Sequence, residues 1–141
     1  MKKIISLLVL FVFILVGCGN EKYKSVKCVE DFDELIGEAG VLKYDIRSEE
    51  ECEKGHIPSF ICMDSLKTAE KFAEDIMLVY PNQSKKIIII SSDDKVLEIY
   101  DILANNGYHN LYYFEGGYER YASEKIDFIP EEGCNCEWEN Y

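Results

Sequence analysis

At 141 residues the chain is long enough for one domain with its own core. Hydrophobic side chains make up 48% of it and aromatics 13%, which excludes a disordered polymer. The formal charge is -12; without residues 1–17, which carry Lys2 and Lys3 and no acid, 13 basic side chains face 27 acidic ones, a balance of -14. Such a surface repels nucleic acid and anionic headgroups, so no nucleic-acid partner is expected.

Met1-Lys2-Lys3 is a short basic segment, and Ile4 to Val16 is a thirteen-residue run, apolar except for Ser6. A spanning helix needs about 20 apolar residues, so this run suits a signal peptide better. Leu15-Val16-Gly17-Cys18 resembles the lipobox of bacterial lipoprotein precursors. That resemblance implies loss of residues 1–17, a diacylglyceryl group on the Cys18 thiol, and attachment to the outer side of the bacterial cell membrane. Two acyl chains hold a protein stably where one is marginal. Residues 18–22 then form the lipidated cysteine and a short tether.

Tyr23 to Lys27 suits a short first strand, and Phe32, Leu35 and Ile36 mark a helix over Val29–Glu38. Val41 to Ile46 reads as a buried strand. Ser48 with Glu51 makes a capping box, opening a short helix that Gly55 ends. Phe60 to Cys62 is a brief strand. Ala69, Phe72, Ala73, Ile76 and Tyr80 share a helix face, and Pro81 stops that helix. Ile87 to Ile90, four isoleucines in a row, predicts a strand buried on both faces of a parallel sheet. Val96, Ile99, Tyr100 and Leu103 predict the next helix, ended by Gly107. Leu111 to Phe114 is a last strand and Gly117 to Ala122 a last helix. The alternation implies an α/β fold, a central parallel sheet of about five strands with helices on both faces. From Ile126 the chain is acidic and expected to be irregular; residues 125–141 read as a cysteine-containing tail.

Tyr44-Asp45-Ile46-Arg47, Glu51-Cys52-Glu53-Lys54-Gly55-His56-Ile57-Pro58, and Gly107-Tyr108 with Leu111 and Glu115-Gly116-Gly117-Tyr118 follow one another in a familiar order. Together they resemble the rhodanese family over residues 23–124, with Tyr121 where many members carry Trp. The resemblance implies a rhodanese-like fold in which Asp45, Arg47, Glu51, Gly55, His56, Gly116 and Gly117 are structural motif residues. Arg47 is expected to brace the strand end with Asp45, and Glu51 is a plausible partner for it. Phe60 stands where relatives often have a small residue, which would partly fill the cleft.

Active members carry a cysteine directly after the central strand, opening a C-x-x-G-x-R loop whose amides stabilise a thiolate. Here the corresponding stretch is Ser91-Ser92-Asp93-Asp94-Lys95, without a cysteine or a glycine and about one residue shorter. A serine hydroxyl cannot carry a persulfide. Asp93 and Asp94 instead complement a helix dipole, with Ser92 or Asp93 as the cap. Lys95 stands near the family's arginine. Serving Ser91 as a hydrolytic nucleophile would take a base, and the chain has two histidines, His56 and His109. No catalytic residue, cofactor or metal is therefore expected.

With Cys18 acylated, Cys28, Cys52, Cys62, Cys134 and Cys136 remain, an odd set that allows up to two disulfides. Cys52 reads as a buried thiol. Cys134-Asn135-Cys136 could be a redox pair or a disulfide, and two ligands alone do not make a metal site. Two functional classes follow. One is a membrane-held binding module for a protein or small molecule not identifiable from sequence. The other is a sulfurtransferase or thiol-redox protein with a relocated cysteine, Cys134 or Cys136.

Overall fold

The computed structural model describes residues 21–63 and 65–133. Ten elements alternate: β1 (Lys24–Val26), α1 (Val29–Gly37), β2 (Leu42–Asp45), α2 (Glu49–Lys54), β3 (Ile61–Cys62), α3 (Ala69–Val79), β4 (Ile87–Ile90), α4 (Lys95–Asn105), β5 (Leu111–Phe114) and α5 (Gly117–Glu124). The strands form one parallel sheet, as the pattern predicts, and the structure sets their order as β1-β5-β4-β2-β3. Among the described residues no helix is long and apolar enough to cross a membrane. Cys18, Cys134 and Cys136 lie outside the described residues.

β4 is central because its side chains have no polar face to offer. Ile87 and Ile89 enter one layer with Phe72, Ile76, Ile99 and Leu103 from α3 and α4. Ile88 and Ile90 enter the other with Phe32, Leu35, Phe114 and Tyr121, contributed mainly by α1 and α5. The period-two alternation of a strand thus feeds two cores at once. Phe60 is fully buried in this second layer, its ring 6.4 Å from that of Phe32.

Tyr100 of α4 reaches between β4 and β5. Its hydroxyl accepts from the Ile89 amide at 2.8 Å and donates to the Tyr112 carbonyl at 2.5 Å. The hydroxyl stands in for ladder bonds beyond the Ile88–Tyr112 register pair.

The capping box on α2 is as predicted: Ser48 Oγ accepts from the Glu51 amide, and Glu51 Oε2 accepts from the Ser48 amide. The Ser48 hydroxyl, donating to Glu51 Oε2 at 2.6 Å, and then the Ser48 amide hold the Glu51 carboxyl below its usual range. One expectation fails here. Cys52 is not a free buried thiol; it is disulfide-bonded to Cys62, across 6.1 Å between Cα atoms. The parallel pairing of β2 with β3 brings the end of β3 beneath α2, which sequence spacing does not reveal. The described segment after α5 is irregular, as expected, yet it is anchored. His56 and Glu131 exchange backbone hydrogen bonds at 2.9 Å, the Gly133 amide donates to the Glu53 carbonyl, and Phe128 packs edge-on against Tyr118 and Tyr121. Residues 125–133 form a strap across the Gly55-His56 turn.

Candidate functional site

A cleft of about 300 Å³ opens beyond the carboxyl ends of β4 and β5. That is the end of an open parallel sheet where ligands bind, because helix N-termini and strand-end loops converge there. One wall is the loop Ser91–Asp94, the other Gly116–Glu119, and Arg47 lines the floor.

Both glycines of this wall take positive φ, and Gly117 is the one that faces the opposite wall. Gly116 has φ +89°, and a Cβ there would meet Arg120 Cδ at 2.6 Å. Gly117 has φ +63°, and a Cβ there would sit 2.7 Å from the Ser91 carbonyl oxygen. Any larger residue at 117 would push the walls apart.

Arg47 is buried with Asp45. Its Nε and Nη2 donate to both carboxylate oxygens, with Nη2 to Oδ2 at 2.7 Å. Nη2 also donates to the Gly55 carbonyl at 2.7 Å, and the guanidinium lies 3.6 Å over the Tyr118 ring. Burial pushes the Tyr118 phenol up. Glu51, a plausible partner by helical spacing, is instead spent on the Ser48 capping box. Asp45, at the strand end and two residues away, faces the fork directly.

The loop after β4 is closed on itself. Ser91 Oγ donates to Asp93 Oδ1 at 2.7 Å and accepts from the Asp93 amide at 3.2 Å. Asp93 Oδ1 also accepts from the Lys95 amide at 3.0 Å. The Ser91 hydrogen bond holds the Asp93 carboxyl below its usual range. Of the two expected caps, Asp93 satisfies the Lys95 amide and Ser92 makes no cap bond; Asp94 occupies the N-cap position itself without a side-chain bond. Lys95 does not face the cleft, because its Nζ donates to the Ser65 carbonyl and lies 5.7 Å from the Phe72 ring centre. Phe60 does not narrow the cleft, since it belongs to the core layer.

The one carboxylate on the Ser91 hydroxyl is Asp93, and among the described residues no histidine stands beside it. His56 Nδ1 faces the Cys52 carbonyl at 3.1 Å, and the exposed His109 faces the Gly107 carbonyl. The charges at the cleft are Asp93, Asp94 and Glu119, with Arg47 already neutralised by Asp45. Among the described residues the cleft lining holds no cysteine, and its one guanidinium is already paired with a carboxylate. Sequence reasoning missed Tyr118 as the lid on Arg47; an aromatic one residue after the Gly-Gly pair was the available signal.

The architecture matches solved structures at identities that establish the fold. The Alr3790 protein from Anabaena aligns over 76% of this chain and 81% of its own, at 16% identity and a TM-score of 0.60. A rhodanese-like domain protein from Staphylococcus aureus aligns over 77% and 97%, at 21% identity and a TM-score of 0.56. The human single-domain sulfurtransferase TSTD1 aligns over 72% and 97%, at 15% identity and a TM-score of 0.55. No curated protein matches. The Rhodanese-like domain model matches residues 29–124, more than half of the chain and all of its strands but the first, so the chain belongs to the rhodanese-like domain family.

Proposed function

We propose that the protein is a membrane-anchored, extracytoplasmic rhodanese-like lipoprotein that does not transfer sulfur and acts as a binding module. One observation carries this reading: Ser91 stands where the family's nucleophilic cysteine is expected, with its hydroxyl committed to Asp93. A group that cannot form a persulfide cannot pass one on. The acidic rim adds a second obstacle. Two like charges about 4 Å apart near a protein surface repel by up to ~4 kcal/mol, less after screening, which works against a dianionic sulfur donor. The Cys52–Cys62 disulfide supports an oxidising compartment, in keeping with the lipobox at Cys18. The anchor holds the domain at the membrane, and the cleft takes a partner protein or small molecule that is not anionic.

The test is cyanide and thiosulfate turnover by the full chain, by Ser91→Cys, and by a variant carrying a complete C-x-x-G-x-R loop between Ile90 and Val96. Wild type is expected to be inactive, Ser91→Cys to recover little, and the graft to recover more. Robust wild-type turnover that survives Ser91→Ala and disappears in Cys134→Ser or Cys136→Ser would overturn the reading and place a sulfurtransferase site in the tail.

A further inference from the structure

His56 is fully buried, and its two ring nitrogens are treated differently by the fold. Nδ1 lies 3.1 Å from the Cys52 carbonyl, which can only accept, so Nδ1 carries the hydrogen. Nε2 then presents a lone pair. It has no hydrogen-bond partner, the one buried side-chain nitrogen or oxygen among the described residues in that condition. The nearest charged group is another acceptor, Glu131 Oε2 at 3.5 Å. The Glu131 side chain is half exposed, so a buried imidazole lone pair faces an accessible carboxylate oxygen, a pairing that a cation can bridge.

The same histidine belongs to a cluster of donors. The sulfurs of Cys52 and Cys62 and a ring nitrogen of His56 lie within 4.8 Å of one another, all three residues buried. A ring N–H fixed on a backbone carbonyl is the arrangement that orients a metal-binding histidine and sets its tautomer. Two thiolates and an imidazole suit a soft or borderline cation, and the open fourth position of a tetrahedron could be taken by Glu131 or water.

We infer that Cys52, His56 and Cys62 form a redox-gated site for a divalent zinc-like cation, closed as a disulfide when oxidised and metal-binding when reduced. The opening step is a thiol–disulfide exchange. A partner dithiol supplies two electrons and two protons, leaves as its own disulfide, and Cys52 and Cys62 become thiols. Binding of one M²⁺ then releases both thiol protons, while neutral His56 contributes a lone pair without losing one. Two sulfurs bound at about 2.3 Å in a tetrahedron stand about 3.8 Å apart. The site is tied to the cleft, because Gly55, between Cys52 and His56, accepts the hydrogen bond from Arg47. This proposal departs from the sequence expectation of no metal and stands independently of whether the cleft transfers sulfur.

The experiment uses the full chain in detergent, oxidised or reduced with a phosphine, titrated anaerobically with Co²⁺ as the spectroscopic probe. The reduced protein should take up one Co²⁺ with thiolate charge-transfer absorption and tetrahedral d–d bands, and the oxidised protein should show none. Cys52→Ser and Cys62→Ser should abolish the bands, and His56→Ala should weaken uptake by more than about tenfold. Cys28→Ser and the Cys134→Ser, Cys136→Ser double variant should keep them. Circular dichroism on the reduced wild type reports whether the fold persists. Reduced wild type that takes up no Co²⁺, folded or unfolded, overturns the inference. So does uptake that survives Cys52→Ser with Cys62→Ser, or that vanishes with the tail cysteines.

Discussion

At the scale of single residues, Arg47 shows how the family motif is held together. Its guanidinium satisfies a buried carboxylate and a turn carbonyl, and it stacks on an aromatic ring. Removing one member of a buried ion pair strands the other, so Arg47→Ala should cost about 3–5 kcal/mol in urea unfolding. Replacing both charges, Asp45→Leu with Arg47→Met, should cost less than the sum of the single changes, because no buried charge is left behind. An additive double variant would mean that the two side chains act separately. Tyr100 makes a similar point with one oxygen. Tyr100→Phe keeps the ring but orphans the Ile89 amide and the Tyr112 carbonyl, an expected loss of about 1–3 kcal/mol by the same measurement. The partner of Arg47 was only partly legible from sequence. Asp45 and Glu51 both lie within reach along the chain, and the choice follows from the capping box claiming Glu51.

At the scale of elements, the strand–helix alternation was readable almost throughout, because each segment carries a period that burial enforces. Four isoleucines cannot face water on either side, and Phe72, Ala73 and Ile76 can share a face only on a helix. What escaped were contacts between elements that no local pattern encodes. The strap of residues 125–133 is acidic in composition, yet it is anchored by Phe128 and by the Glu131 backbone. Pro130 Cβ would lie 2.9 Å from a Cβ built on Gly55, so the strap and that glycine fit one another. The Cys52–Cys62 bridge escaped for the same reason, since pairing depends on β2 and β3 being adjacent. It closes a short loop, with a sequence separation of 10. On the chain-entropy account a loop of that size contributes roughly 3 kcal/mol. Cys52→Ala with Cys62→Ala should therefore lower unfolding stability by about that much, while Cys28→Ala, an exposed thiol, should change it little. Equal effects from the two would show that the bridge does not constrain the folded domain.

At the scale of the whole molecule, three separate features bear on where the protein works. On the proposed reading the lipobox-like segment would supply a thiol for acylation, the acidic composition would keep the domain off anionic headgroups, and a buried disulfide suits a place where thiols are not kept reduced. They make linked but separable demands. Cys18→Ala should abolish metabolic fatty-acid labelling and leave the precursor unprocessed by the lipoprotein peptidase, because no other thiol sits at the proposed cleavage site. Yet that variant should still cross the membrane and still oxidise Cys52–Cys62, since export needs only the basic and apolar segments ahead of Cys18. Deleting residues 1–17 should leave the chain in the cytosol with both thiols free to alkylate. Thiol alkylation in intact cells, read together with the fatty-acid label, separates the two demands. Equal labelling of wild type and Cys18→Ala would remove the anchor from the account. A disulfide that forms equally in the chain lacking residues 1–17 would detach the bridge from export and leave it as a property of the fold alone.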